Sequence, residues 1–221
     1  MATMHMKNSR EDYLARRVDE LRADLLQRDP AVLAANTGAS FDGSRFELPV
    51  WEKTISMNSQ DFIARDQASG KSIDGMTQAM LAYYFHTADG TLLSERWIAF
   101  SGLPDGQFYA AAFQGYTGNE LAKVFGNDLE LFTNAAHKLD GQPYTLGDAA
   151  FIFQALPLVP ILAVGWQGDE DFAPSYRLLF DSHIDHHLPT DACAILGSTL
   201  TRRLLRAHES LVSRAEQSKI E

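Results

Sequence analysis

Leu14, Val18, Leu21 and Leu25 recur three or four positions apart, and charged residues fill most of the positions between them. That period predicts an amphipathic helix with one stripe to bury. Ser9 followed by Asp12 resembles a capping box at its start. Asp29-Pro30 begins a short helical piece over residues 31–35, which Asn36-Thr37-Gly38 ends. Partial alternation at 45–48 and 53–56, with Pro49 between, predicts two short strands. Gly70 and Gly75 bracket a loop, after which Met76, Met80, Tyr83 and Tyr84 keep a helical period up to the Asp89-Gly90 turn.

Residues 96–100 and 108–113 read as strands on either side of the Leu103-Pro104-Asp105-Gly106 turn. Helical runs over 119–125 and 128–139 are closed by Gly126 and Gly141. Two apolar strands sit within 150–155 and 161–164, residues 165–168 turn the chain, and 176–180 is a further strand. The last helix starts after Pro189, with Thr190 as its cap, and runs to about residue 217. Leu196, Leu200, Leu204, Leu211 and Ala215 form its buried stripe.

Strands come in clusters, and no strict β-α-β alternation links them. The expected class is therefore α+β: a single domain with a largely antiparallel sheet, an N-terminal amphipathic helix and a long C-terminal helix. Residues 1–36 would form a helical segment packed on a core of residues 37–221, one domain overall.

Composition narrows the function. With 45% hydrophobic and 22% charged residues in 221, the chain can bury a core, which excludes a disordered or disulfide-stapled protein. Acids outnumber bases 29 to 19, so no nucleic-acid partner is expected. A single cysteine, Cys193, cannot form an internal disulfide or hold an iron–sulfur cluster, and it fits a reducing, cytoplasmic setting. The first ten residues carry no apolar signal-peptide core. Residues 149–166 form the most apolar stretch, but Pro157 and Pro160 break it and Asp148 and Asp169 flank it. Two buried segments suit it better than a membrane span.

Several stretches resemble an uncharacterised, domain-of-unknown-function family of mostly anaerobic bacteria and archaea. They are MLAYYFHTADG at 80–90, RWIAFSGLPDGQFYAAAF at 96–113, LAKVFG at 121–126, LPLVPILAVGWQGDEDF at 156–172 and LLFDSHIDHHLPTDACAILG at 178–197. The likeness runs over about residues 35–205. It implies no catalytic assignment. Some relatives look fused to ferredoxin-like cluster domains, which implies a redox or one-carbon setting. With one cysteine this chain departs from them, so any such association is indirect.

Three clusters could carry chemistry. In Asp181-Ser182-His183-Ile184-Asp185-His186-His187, three imidazoles and two carboxylates offer ligands for a divalent metal. His183 and His187 would share a face on a helix, but Pro189 disfavours one, so a turn between strand and helix is expected. The pattern partly resembles the H-x-H-x-D-H of metallo-β-lactamase-like hydrolases, with Asp181 in place of the first histidine and too little chain after His186 for the rest of that fold.

In Trp166-Gln167-Gly168-Asp169-Glu170-Asp171-Phe172, the plain reading is a solvated loop. The functional reading is a carboxylate beside Trp166, Asp169, with a raised pKa and an acid–base role. A five-residue strand would hold this loop roughly 17 Å from the histidines. Tyr83, Tyr84, Phe85 and His86 with Trp97 and Phe100 could line a site for a flat cofactor such as a tetrapyrrole, with His86 as axial ligand. The alternative is a helix packed on a strand, with His86 at the helix C-terminus.

Cys193, in the first turn of the last helix, is either activated by the helix or buried as a small apolar residue. Arg202, Arg203 and Arg206 form a basic patch suited to Glu209 or another subunit. No phosphate loop, dinucleotide fingerprint or nucleophile motif is found.

The expected function is a cytoplasmic small-molecule- or cofactor-binding, or accessory, protein without its own catalysis. Its ligand residues would be Trp166, Asp169, Trp97 and His86. The first alternative is a metal-dependent enzyme using His183, His186, His187, Asp181 and Asp185. The second is a structural or interaction subunit, with a protein partner or a second copy of the chain covering the N-terminal stripe.

Overall fold

Val18, Leu21 and Leu25 are buried on one side of a helix, α1, over residues 16–25. A computed structural model describes residues 16–217 of the protein, with side chains as far as residue 213. The expected capping box at Ser9 and Asp12, with Leu14, lies outside the described residues, as does the side chain of Ala215. The described residues group into two units: 16–92 with Leu156–Leu158 and His186–Pro189, and Leu93–Ala155 with Val159–Asp185 and 190–217.

In the first unit, helix α2 (Pro30–Thr37) follows Asp29, whose side chain accepts the Ala31 N–H at 2.8 Å. Strands β1 (Ser40–Phe41), β2 (Arg45–Val50), β3 (Lys53–Asn58) and β4 (Ala64–Asp66) form an antiparallel sheet in sequence order. Pro49, expected between strands, lies inside β2 opposite Thr54. It is tolerated because β1 pairs only as far as Phe46 and Glu47, leaving that edge of β2 without a ladder to interrupt. Helix α3 (Gly75–Thr87) is capped by Asp74, which accepts the N–H groups of Met76 and Thr77. Phe85 meets Phe46 edge-on with centroids 5.0 Å apart, and Ala79 and Ala82 cluster with Val18 and Leu21 of α1. The N-terminal stripe is thus buried within its own unit.

The second unit is built on a five-stranded sheet ordered β5 (Trp97–Ala99), β9 (Ser175–Asp181), β8 (Val159–Trp166), β7 (Ala149–Leu156) and β6 (Gln142–Pro143). Its recorded pairings are antiparallel. The apolar run 149–166 is therefore two neighbouring strands, β7 and β8, turning at Pro157. Among the described residues no helix is long and apolar enough to cross a membrane.

Helices α4 (Ala110–Tyr116), α5 (Gly118–Phe125), α6 (Leu129–His137) and α7 (Thr190–Gln217) complete this unit. Residues 108–113, expected as a strand, are instead the end of a 3-10 turn and most of α4. Three alanines favour helix there, and only Phe113 is buried, with Phe108 at 91% exposure. The alternation needed for a strand is absent. The expected strand 96–100 is shortened to β5 because Phe100 enters a 3-10 turn. Thr190, expected as a cap, is the first helical residue of α7, and its hydroxyl donates to the Pro104 carbonyl at 2.7 Å.

The fold is thus α+β with antiparallel sheets, a helix at the start of the described residues and a long helix at their end.

Candidate functional site

Alternation along β9 sorts the second unit's sheet into two faces. Tyr176, Leu178 and Phe180 are buried, and their rings meet the helices: Tyr176 contacts Phe132 at 5.2 Å and Phe180 contacts Phe113 at 5.9 Å. Leu179 turns the other way. There, with Trp97, Ile152 and Trp166, it packs half-buried around the fully buried Ala150, Leu162 and Val164.

This second face is concave. Trp97 stands on one outermost strand, and Tyr144 directly follows the other, yet their rings meet edge to face at 5.8 Å. In a flat sheet, the outer two of five strands would be about 19 Å apart. The ring contact therefore requires strong curling. The link between β6 and β7 folds back over the same face. Gly147 comes so close that a β-carbon there would lie 2.7 Å from Val164 Cγ1 and 3.0 Å from Trp166 Nε1. Its φ of 61° also suits glycine best.

Two of the expected ligand residues, Trp97 and Trp166, thus share this face. Sequence reasoning missed Tyr144, Ile152, Leu179 and Arg177; the two-residue period of β9 was the signal for the last two.

Asp169 lies just past the end of β8. Its carboxylate accepts the N–H groups of Asp171 at 2.9 Å and Phe172 at 2.8 Å, closing the acidic loop. The Phe172 and Asp171 donors hold its carboxyl below the usual range. A raised pKa was expected; local backbone donors stabilise the charged form instead. The preceding residues are tied down too, since Gln167 N–H donates to Asp148 and Gly168 N–H to the Asn127 side chain.

His86 belongs to the other unit, in the last turn of α3. Its Nε2 is 3.4 Å from an Asp24 carboxylate oxygen, and its carbonyl accepts from Arg28. Burial and the Arg28 charge lower its pKa against the pull of Asp24.

The histidine-rich run is divided between the units. Asp181, 1% exposed, ends β9 and accepts the N–H groups of Ser94 (3.0 Å), Glu95 (2.8 Å) and His183 (2.9 Å), plus the Ser94 hydroxyl. Burial raises its pKa, but these donors together bring the carboxyl below its ordinary value. Ile184–His186 form a 3-10 turn, as the following proline suggested. Asp185 is exposed and His183 is half-buried.

In the first unit, His186 Nδ1 lies 2.8 Å from Asp89 Oδ2 and 3.2 Å from Thr91 Oγ1, while His187 is fully buried. Among the described residues, no group of three or more His, Cys, Asp or Glu is arranged to hold a metal ion. Cys193 is buried, and desolvation pushes its thiol pKa up, the reverse of activation.

The molecule so defined is an α+β protein whose second unit presents a curled antiparallel sheet with an aromatic-edged concave face. The profile of a domain of unknown function, DUF3786, covers residues 29–203, and the chain belongs to that family. No curated protein and no solved structure matches it.

Proposed function

We propose that the protein is a cytoplasmic binding or accessory protein that seats a small, ring-containing molecule on the concave face of its five-stranded sheet and does not transform it. One observation carries this reading: Trp97 and Tyr144 meet at 5.8 Å across the sheet's curl, over the buried Ala150, Leu162 and Val164, and both rings stay partly exposed. Trp97, Trp166 and Tyr144 stay partly exposed above this buried cluster, and aromatic rings offer stacking area at low entropic cost. The lone cysteine supports a reducing compartment. Asp169, the carboxylate expected to act as an acid or base, is engaged by backbone N–H donors, which suits holding better than proton transfer.

The test uses the full chain labelled with ¹⁵N, whose three tryptophans give three indole N–H signals. Titration with 2-naphthamide, a neutral planar probe, should shift the Trp97 and Trp166 signals saturably and leave Trp51 in place. Trp97→Ala and Tyr144→Ala should each abolish saturation. Shifts that grow linearly, or equally at all three indoles, sink the reading. Haem and cobalamin, followed by visible absorption, test the tetrapyrrole version of the ligand.

A further inference from the structure

Arg177 stands on β9 two residues from Leu179 and two from Ser175, so it faces the concave side that holds Leu179. Its register partner on β8 is Val164, part of the buried cluster, and Trp166 is its diagonal neighbour. Diagonal pairs on one face lie about 7–8 Å apart, within reach of a long side chain and an indole. The guanidinium is exposed and forms no hydrogen bond or ion pair among the described residues. Two acids of this unit that might have paired with it are already engaged: Asp181 accepts from Ser94, Glu95 and His183, and Asp148 accepts from Gln167.

Resting on the binding reading above, we propose that Arg177 selects the ligand's charge: the concave face takes a planar ring bearing a carboxylate. The partly exposed rings of Trp97, Trp166 and Tyr144 hold the ring system, and the guanidinium fork receives the carboxylate through two parallel N–H···O bonds. Planar guanidinium matches carboxylate geometry bidentately and stacks on aromatic faces, so a ring acid uses both properties at once. One fork neutralises one negative charge, which fits a monocarboxylate better than a phosphate dianion.

Calorimetric titration of the full chain with 2-naphthoate, 2-naphthamide and 2-naphthyl phosphate tests the proposal. The acid should bind about tenfold or more tighter than the isosteric amide, the size expected of a charge-assisted pair. Arg177→Met keeps the apolar stem and should erase that preference, bringing acid and amide to equal affinity; Arg177→Lys should keep only part of it. Equal binding of acid and amide, or a preference that survives in Arg177→Met, overturns the role of Arg177 but leaves the binding reading standing. Phosphate binding tighter than carboxylate overturns the carboxylate assignment. No binding of any probe overturns both readings. So does a self-associated form, found by light scattering, in which the Trp97 and Trp166 indoles are already shielded from acrylamide.

Discussion

The Asp181 carboxylate accepts the backbone N–H of Glu95 at 2.8 Å, and Glu95 holds a left-handed φ of 58°. A non-glycine residue adopts that conformation only when its surroundings insist on it. Here the requirement is clear: three N–H groups converge on one buried carboxylate and fix the segment entering β5, hence the position of Trp97.

Asp181→Asn should therefore destabilise the protein by about 2 kcal/mol or more, and Asp181→Ala by more still, because buried N–H donors lose their acceptor. Adding Glu95→Gly should recover part of the loss, since glycine adopts positive φ without strain. Because the folded carboxyl is held below its ordinary value, its contribution is complete above the unfolded aspartate value of about 3.9. That contribution fades as pH falls through the lowered folded value. Urea unfolding of wild type and Asp181→Asn between pH 7 and acid should show the two curves converging only in acid. A constant gap throughout would mean the carboxylate's charge is irrelevant.

Close backbone approach sets the second expectation. A β-carbon at Gly118, where α5 begins, would run into the Tyr176 carbonyl oxygen and the Gln114 side chain. Gln114 already donates to that same carbonyl at 2.9 Å, so the neighbour cannot give way cheaply. Gly118→Ala should cost about 1–3 kcal/mol, as overpacking does. Gly115, one turn earlier in α4, meets nothing within 4 Å, and Gly115→Ala should be neutral or stabilise by up to about 1 kcal/mol. Thermal unfolding of the two single variants separates a packing effect from a general dislike of alanine.

The periodic parts of the fold were legible because burial imposes its period on the sequence. Val18, Leu21 and Leu25 announced α1, and Leu196, Leu200 and Leu204 announced α7. Residues 108–113 misled because Phe108 and Tyr109 are bulky but exposed, so hydrophobicity there did not mean burial. The candidate site was half legible. Trp97 and Trp166 stood out as large aromatics, but their sharing one face depends on how β5, β9 and β8 pair, which no local pattern encodes. Tyr144 could not be found at all from its own neighbourhood, since its contact with Trp97 spans the whole sheet. Within the histidine run, no local pattern encoded that backbone donors claim Asp181 or that His187 is buried.

His186 and Asp89 bring an imidazole and a carboxylate together at 2.8 Å, with side chains 43% and 51% exposed. The His186 and Thr91 hydrogen bonds hold the Asp89 carboxyl well below the usual range. Solvent screens a pair this open, so Asp89→Asn should cost less than about 1 kcal/mol. The difference from wild type should shrink further in 1 M salt. What loss there is belongs to neutral pH, where a depressed carboxyl contributes, and should vanish in acid as Asp89 protonates. Denaturation at low and high salt checks both statements; a large, salt-independent loss would make this contact a buried structural pair rather than a surface one.

Cys193 supplies a direct readout of how α7 opens. The thiol is 1% exposed, and burial, with the Asp185 charge adding to it, pushes its pKa up, so thiolate is scarce in the folded state. A thiol modified only through its thiolate should then react with iodoacetamide only when the helix lifts away. Native protein should label at least about a hundredfold more slowly than protein in 8 M urea, a factor consistent with an opening free energy of a few kcal/mol. Leu200→Ala, which removes a fully buried side chain from the same helix, should speed native labelling by destabilising the closed state. A native rate close to the unfolded one would show that Cys193 is reached without opening, and would return the activated-thiol reading to consideration.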